Sequence, residues 1–342
     1  MTSTALQDGL TATADSGDVR AEFQELLTGC GIHELNWRRK ATLTGSDRVR
    51  WLNGIITNNI RDLSPGQGVY AFLLNPQGRI LGDLNAYARA ESLVIDTDAA
   101  QLPKILELFD HYIIMDDVEV RESTGNIGAI GLKGPSARAA LQAAGIDFPE
   151  LQPLSFVDVS WRNVPLTVIR GDGPSVASYE IWTTPESIGS IREALEKSGA
   201  KPVGTTALNY VRIAEGIPQY GQDIRERDLP QETEQERALH FIKGCYIGQE
   251  IVERIRSRGA VHRKFTGFKV DGALPAPGMK IQIDAKEVGE ITSSTALPIA
   301  NGQYPVALGY IRREVGTPGK QIELETTKLT IANLPFTEVF KH

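Results

Sequence analysis

One of only two cysteines in the chain lies in Lys243-Gly244-Cys245-Tyr246-Ile247-Gly248-Gln249-Glu250, between a lysine and the expected start of a helix. The residues that follow, Ile251-Val252-Glu253-Arg254-Ile255, have helical spacing, with Val252 and Ile255 on one face. Gly244 and Gly248 let the backbone turn tightly around the thiol. A nearby cation and the N–H groups of a helix start both favour thiolate, the reactive form of cysteine. Cys245 is therefore a candidate reactive thiol with Lys243 as its neighbouring cation. The competing reading is a buried, inert cysteine in a tight loop. Cys30 has only Gly29 and Gly31 beside it and no adjacent cation, which makes it the internal control.

Three further residues could carry chemistry. Asp83 sits in Gly78-Arg79-Ile80-Leu81-Gly82-Asp83-Leu84, where strand alternation puts it on one face with Leu81 and opposite Ile80, Gly82 and Leu84. An acid in such an apolar strand either faces solvent on an edge strand or serves a site. Glu180, in Ser178-Tyr179-Glu180-Ile181-Trp182, is either another exposed strand acid or a carboxylate that accepts side-by-side hydrogen bonds from a two-pronged donor. Arg212, in Tyr210-Val211-Arg212-Ile213-Ala214-Glu215-Gly216, either contacts a ligand or pairs with Glu215 three residues on along a helix.

Other chemistries have no support. The chain carries no G-x-G-x-x-G after a strand, no G-x-x-x-x-G-K-[ST] and no H-E-x-x-H, and its 5 histidines are scattered. With 2 cysteines, no CxxC and no Cys/His cluster, a zinc site or an iron–sulfur cluster held by this chain alone is not expected, and no metal is assigned. The 36 Lys and Arg against 43 Asp and Glu leave a net charge of −7, which argues against DNA as a partner. A local exception is Arg254, Arg256, Arg258, Arg263 and Lys264, read as a solvated helix end and turn, or as a patch meeting an anionic tail or an RNA backbone. No apolar run approaches the roughly 18 residues that span a bilayer, so no membrane partner is expected. Residues 1–17 are polar and lack a signal pattern, which reads as a disordered leader on a cytoplasmic protein expected to be a monomer.

The elements that must position these residues follow from periodicity. A chain of 342 residues is too long for one compact core, so two or three packed units are expected. Residues 20–35 read as helical, 40–45 as a strand, and Ser46-Asp47 as the cap of a short helix carrying Val49 and Leu52 inward. Strands are expected at 69–74, 80–90 and 93–96, a helix at 99–110, strands at 118–121 and 127–132, and a helix from Gly134-Pro135 to Gly145. A second round gives strands at 156–160, 164–170 and 179–182. It continues with a helix from Thr184 to Gly199 and another after Thr205-Thr206 that closes at Gly216. This alternation with hairpins predicts α+β layers and not a parallel doubly wound sheet. Past Gly259 only short strands separated by Gly and Pro are expected, a small β-barrel. The expected division is 20–258, two intertwined α+β lobes, and 259–342, the barrel.

The octapeptide around Cys245 resembles the K-G-C-[FY]-x-G-Q-E signature of the YgfZ-type folate-binding proteins, relatives of the glycine-cleavage T-protein, an aminomethyltransferase. T-proteins usually carry an acidic or amide residue followed by Phe-Ile-Gly there, so Cys245 points to the YgfZ branch. The resemblance extends over about 30–315, including 52–59, 75–83 and 216–223. It implies a multi-lobed T-protein-like fold whose central channel binds tetrahydrofolate. Asp83 aligns with the second acid of the T-protein's Gly-Gly-Ile-x-Asp-Asp stretch, the first being replaced by Gly82. Tyr87 falls on a position that faces the folate pocket in relatives. Glu180 falls on the glutamate that holds the pterin, whose aminopyrimidine edge suits a carboxylate. Arg212 falls on an arginine lining the site, although the order Ala214-Glu215 departs from the family's Glu-Ala. The implied function is folate-dependent support of iron–sulfur enzymes, including those that modify tRNA, with iron–sulfur proteins or their assembly factors as partners. In this reading Cys245 and Lys243 supply a thiol at the channel. The alternatives are a folate-dependent aminomethyltransferase, which Asp83 would serve, and a non-catalytic folate-binding scaffold.

Overall fold

A computed structural model describes residues 17–123, 125–259, 261–324 and 326–341. In chain order, α1 (Val19–Thr28), β1 (Gly31–Glu34), β2 (Arg38–Thr44), α2 (Arg48–Ile55), β3 (Gly68–Leu74), β4 (Ile80–Ala88), β5 (Leu93–Asp98), α3 (Leu102–Tyr112) and β6 (Glu119–Glu122) come first. They are followed by β7 (Gly128–Lys133), α4 (Ala137–Ala143), β8 (Phe156–Trp161), β9 (Val164–Arg170), β10 (Ser178–Thr183), α5 (Ile188–Lys197), β11 (Lys201–Pro202) and α6 (Thr205–Glu215). The remainder comprises α7 (Gln249–Arg258), β12 (Arg263–Gly272), β13 (Lys280–Ile283), β14 (Lys286–Leu297), β15 (Tyr304–Arg312), β16 (Gln321–Glu323) and β17 (Thr327–Ala332).

Three sheets result: β3-β4-β5-β2-β6, β11-β1-β7-β10-β9-β8 and β13-β14-β15-β12-β17-β16. The first is inserted in the chain between β1 and β7 of the second, so the two α+β sheets are interleaved. The third is a nearly closed barrel. The described strand pairs are antiparallel apart from β1 with β11, as α+β layers require and a doubly wound sheet does not. On β4, Ile80, Gly82, Leu84 and Ala86 are buried while Leu81, Asp83 and Asn85 are only half-buried, a period of two that sets one face on a core and the other on a cavity. Helix α3 packs Leu102, Ile105 and Phe109 into the same core as Leu84 and Ala86. The barrel fills its interior with Phe268, Ile281, Ile291 and Leu329. Its other apolar surface, with Phe265 and Tyr310, packs on Phe23 and Leu26 of α1 and Val211 of α6. Among the described residues no helix is long and apolar enough to cross a membrane.

Two expectations need correction. The helix expected over 20–35 stops at Thr28, and Gly31–Glu34 is a buried strand. The chain turns at Gly29, where a Cβ would lie 1.9 Å from Glu25 Oε1; that oxygen accepts from the Cys30 N–H at 3.0 Å. Asp47 stands at the start of α2 but makes no side-chain cap there; its carboxylate accepts from the Asp117 N–H at 2.9 Å and ties the 113–118 loop to the helix.

Candidate functional site

A cavity of about 640 Å³ lies where the first two sheets meet α6, and Asp83, Glu180 and Arg212 all line it. They arrive from separate elements: β4 of the first sheet, β10 of the second, and the last turn of α6. Asp83 is not on an edge strand, because β4 lies between β3 and β5. Its Oδ2 accepts from Tyr70 O–H at 2.7 Å and its Oδ1 from Gln101 Nε2 at 2.8 Å. The Asp83 N–H in turn donates to Gln101 Oε1 at 2.9 Å, so the carboxylate is fixed in direction. Gly82 points the other way: a Cβ there would lie 3.2 Å from Gln101 Oε1 and 3.6 Å from Ile105. The position of the missing first acid therefore faces α3 and not the cavity.

Glu180 accepts from Trp182 Nε1 at 2.8 Å through Oε2. Beside it lies a charge cluster in which Lys40 and Asp96 are buried and Arg38 lines the cavity. Lys40 Nζ donates to Asp96 Oδ1 at 3.1 Å, and Arg38 donates from Nε to Asp96 Oδ2 at 3.0 Å. Burial pushes the Asp96 carboxyl up, but Arg38 and Lys40 outweigh it and leave the group below its ordinary value. Glu180 behaves oppositely. Burial, then the charge of Asp96, raise it above the ordinary carboxylate value, with Lys40 and Arg38 opposing only in part.

Arg212 does not pair with Glu215. It donates to Asp223 Oδ2 at 2.6 Å, to the Ile217 carbonyl at 2.9 Å and to Asn209 Oδ1 at 2.8 Å. Asp223, fully buried, also accepts from the hydroxyls of Thr292 and Ser293 on the barrel at 2.5 and 2.7 Å. Arg212 thus braces the end of α6, the following loop and the barrel. Glu215 is buried as well, binding Lys133 Nζ at 2.7 Å and the Val176 N–H at 2.9 Å.

Tyr87 does not reach the cavity. Strand parity puts it on the Asp83 face, but there the second sheet closes down on the first, and the ring lies edge-on to Trp182 and Phe156 at 5.4 and 5.9 Å. Lys243 and Cys245 are also outside it. Lys243 is buried and donates through Nζ to the carbonyl of Ile56 at 2.6 Å and to that of Asn53, capping the C-terminal end of α2. Burial, then the charge of Arg61, bring its amine down to about 7, so it is an internal cap and not a surface cation beside the thiol. Cys245 is exposed to solvent. The basic run is likewise dispersed. Arg254 pairs with Glu250, Arg256 lies over Phe241 at 4.3 Å, and Arg263 donates to Asp228 and Glu232. Lys264 lines a second cavity of about 450 Å³, which shares Asp172, Ile217 and Arg237 with the first. No group of three His, Cys, Asp or Glu side chains suited to a metal occurs among the described residues.

Sequence reasoning passed over Arg38, Lys40, Asp96, Tyr70, Gln101 and His33, all of which shape the cavity or its backing. A signal existed in Arg38-Arg39-Lys40-Ala41 and in Asp96: charges inside strand runs are rarely buried unless paired.

The chain's sequence and fold belong to a known family. The GCVT N-terminal domain matches residues 11–243 and the glycine cleavage T-protein C-terminal barrel domain matches 263–338, and the chain is a member of the glycine cleavage T-protein family. Similar proteins include an aminomethyltransferase of Rubrobacter xylanophilus, 27% identical over 300 residues, covering 86% of this chain and 80% of the relative. A putative chloroplastic transferase of Arabidopsis thaliana is 24% identical over 333 residues, covering 96% of this chain and 76% of its own. The crystal structure of the glycine cleavage system aminomethyltransferase T from Bartonella henselae superposes with a TM-score of 0.83 at 21% identity, covering 94% of this chain and 90% of that one.

Proposed function

We propose that this chain is a tetrahydrofolate-binding protein of the YgfZ type that supports iron–sulfur enzymes, including those that modify tRNA. The observation that carries the YgfZ assignment is Lys243-Gly244-Cys245-Tyr246-Ile247-Gly248-Gln249-Glu250, with its cysteine exposed while its lysine, Tyr246 and Gly248 serve packing. The cavity's donor set suits a pterin. Glu180 keeps one oxygen free of the Trp182 bond for an aminopyrimidine edge, while Asp83 and Arg212 are already oriented by their own partners. Tetrahydrofolate, when bound, supplies a carrier for a one-carbon unit. The chain's own residues orient it, and the Arg38–Lys40–Asp96 cluster sets the charge beside Glu180.

Aminomethyl transfer is the second reading, favoured by the names of the relatives and by Asp83 in the cavity. Against it, each Asp83 oxygen already accepts a hydrogen bond, and Gly82 offers no second acid. Incubation with a lipoyl-bound aminomethyl donor and tetrahydrofolate separates the readings: turnover selects the transferase and sinks the present one. Calorimetry on the wild type and Glu180→Ala tests the site, and equal affinities would remove Glu180 from it. Full rescue of a cell lacking the native protein by Cys245→Ser would remove the thiol from the function.

A further inference from the structure

We propose that His33 is a ligand-positioning residue of the cavity, whose imidazole, laid across Gly131 toward Glu180, hydrogen-bonds the flat nitrogen-rich ring that Glu180 takes from the other side. This rests on the folate reading above. The placement follows from strand register. Gly131 on β7 is the cross-strand neighbour both of His33 on β1 and of Glu180 on β10. The three therefore form one row across the second sheet, and all three line the cavity. With strands about 4.8 Å apart, the backbones of His33 and Glu180 are separated by about 10 Å. The imidazole leans into that gap. A Cβ on residue 131 would lie 2.3 Å from His33 Nε2 and 2.5 Å from Cε1, so the ring rests where a side chain of any other residue would stand.

The polar side chains around it are satisfied: Asp83 by Tyr70 and Gln101, Lys133 by Glu215, Arg212 by Asp223. His33 is the exception. Its Nδ1 is buried and has no hydrogen-bond partner among the described residues. The ring stacks on that of Trp37 at 5.7 Å and 9°. A buried polar atom left unpaired is destabilising and calls for an explanation. Burial, then the charge of Lys133, hold the imidazole down at about 3, so it is neutral and offers one donor and one acceptor. With Nδ1 unpartnered, a half-turn about the two-fold χ2 torsion exchanges the ring's nitrogen and carbon positions while keeping its stack on Trp37, and so turns a nitrogen to a ligand. The class of ligand that fits is a neutral planar heterocycle bearing amide and amino groups on its edges, as a pterin does.

The test uses the full chain as wild type, His33→Leu, His33→Gln and Gly131→Ala, with calorimetric titration of tetrahydrofolate and melting of the ligand-free proteins. One hydrogen bond corresponds to about a tenfold change in affinity. Expected are a loss of about tenfold for His33→Leu, substantial recovery in His33→Gln, and a loss in Gly131→Ala, whose methyl group displaces the ring while keeping it. The ligand-free His33→Leu protein should melt above the wild type, because an orphan polar atom is gone. The ring-nitrogen NMR shifts of His33 should move when tetrahydrofolate is added. Wild-type affinity in His33→Leu, or ring shifts that do not move, overturns the proposal while leaving the folate reading intact. A lower melting temperature in His33→Leu without recovery in His33→Gln assigns the residue to packing and also overturns it. A wild type that does not bind tetrahydrofolate overturns the folate reading and this inference with it.

Discussion

Removing Arg212 should cost the protein more stability than any cavity-lining change that leaves a charge paired. Asp223 has no exposed side-chain surface, and Arg212 is its salt-bridge partner. Two barrel hydroxyls and the Gln219 N–H complete the carboxylate's shell. Arg212→Met keeps the aliphatic stem but strands the buried carboxylate, and breaking such a pair costs about 3–5 kcal/mol. For 342 residues at about 2.1 cal/mol/K each, the unfolding entropy is about 0.7 kcal/mol/K, which turns that cost into a fall of about 4–7 °C. Asp223→Asn alone should also destabilise. The double variant should cost less than the sum of the two by about 1–3 kcal/mol, because the stranded charge is gone. Scanning calorimetry on the four proteins measures this. Additivity within about 0.5 kcal/mol would refute the brace. Because Asp223 does not line the cavity, a brace also predicts that Asp223→Asn weakens tetrahydrofolate binding along with Arg212→Met. A loss confined to Arg212→Met would make the arginine a direct ligand contact instead.

The raised proton affinity of Glu180 means that the folded state binds more protons than the unfolded chain from the ordinary value of 4.5 up to the raised one, so this group's contribution to stability declines as pH rises through that window. The melting temperature of Glu180→Gln relative to wild type should therefore rise as pH increases above 4.5; a pH-independent difference would contradict this. Cys245 is exposed whereas Cys30 is buried with its thiol pushed up to about 12 by burial and then Glu25, so site-resolved alkylation of the folded protein at neutral pH should label Cys245 first, and equal rates would be a failure. Gly248 has φ +81° and a Cβ there would sit 2.6 Å from the Asn75 carbonyl, whereas Gly244, at φ +100°, faces open space. Gly248→Ala should therefore lower the melting temperature more than Gly244→Ala, whose cost is backbone strain alone, of order 1–3 kcal/mol.

Much of the site could be read from residue types because strand parity is a local property. Alternation along β4 and β10 assigns Asp83 and Glu180 each to one face, and the apolar residues between them settle which face is core. Tyr87 marks where that reasoning ends. Its parity matches Asp83, but the distance along the face at which Trp182 and Phe156 close over it depends on how two sheets lean together. Arg212 and Glu215 fail for a related reason. Helical spacing allows them to meet, yet each pairs with a residue off the helix, Arg212 with Asp223 at 2.6 Å, 11 positions on, and Glu215 with Lys133 at 2.7 Å, 82 positions back. His33 left no periodic signal, since a histidine in a four-residue buried strand reads as core until its missing hydrogen bonds are counted.

The octapeptide around Cys245 shows how a motif divides its residues between shape and chemistry. Lys243 reaches back about 190 positions to close the C-terminal end of α2. The Ile247 N–H donates to the Gly54 carbonyl at 3.2 Å, fastening the loop to the same helix end. Tyr246 is buried, and its N–H donates to Gln249 Oε1 at 3.2 Å just ahead of α7. Gly248 adopts the left-handed turn against Asn75 that starts α7. Those anchors hold the loop from 243 to 248 at both ends, and they leave Cys245 with its neighbour Ile242, 87% exposed, facing solvent. The exposed loop and the cavity lined by Asp83 and Glu180 are separate, since Cys245 is not among the residues that line it. The two are joined through α2 and β3, since Thr57, just beyond α2, donates through its hydroxyl to the Ala238 carbonyl and accepts there from the Phe72 N–H, two residues along from Tyr70, the hydrogen-bond partner of Asp83.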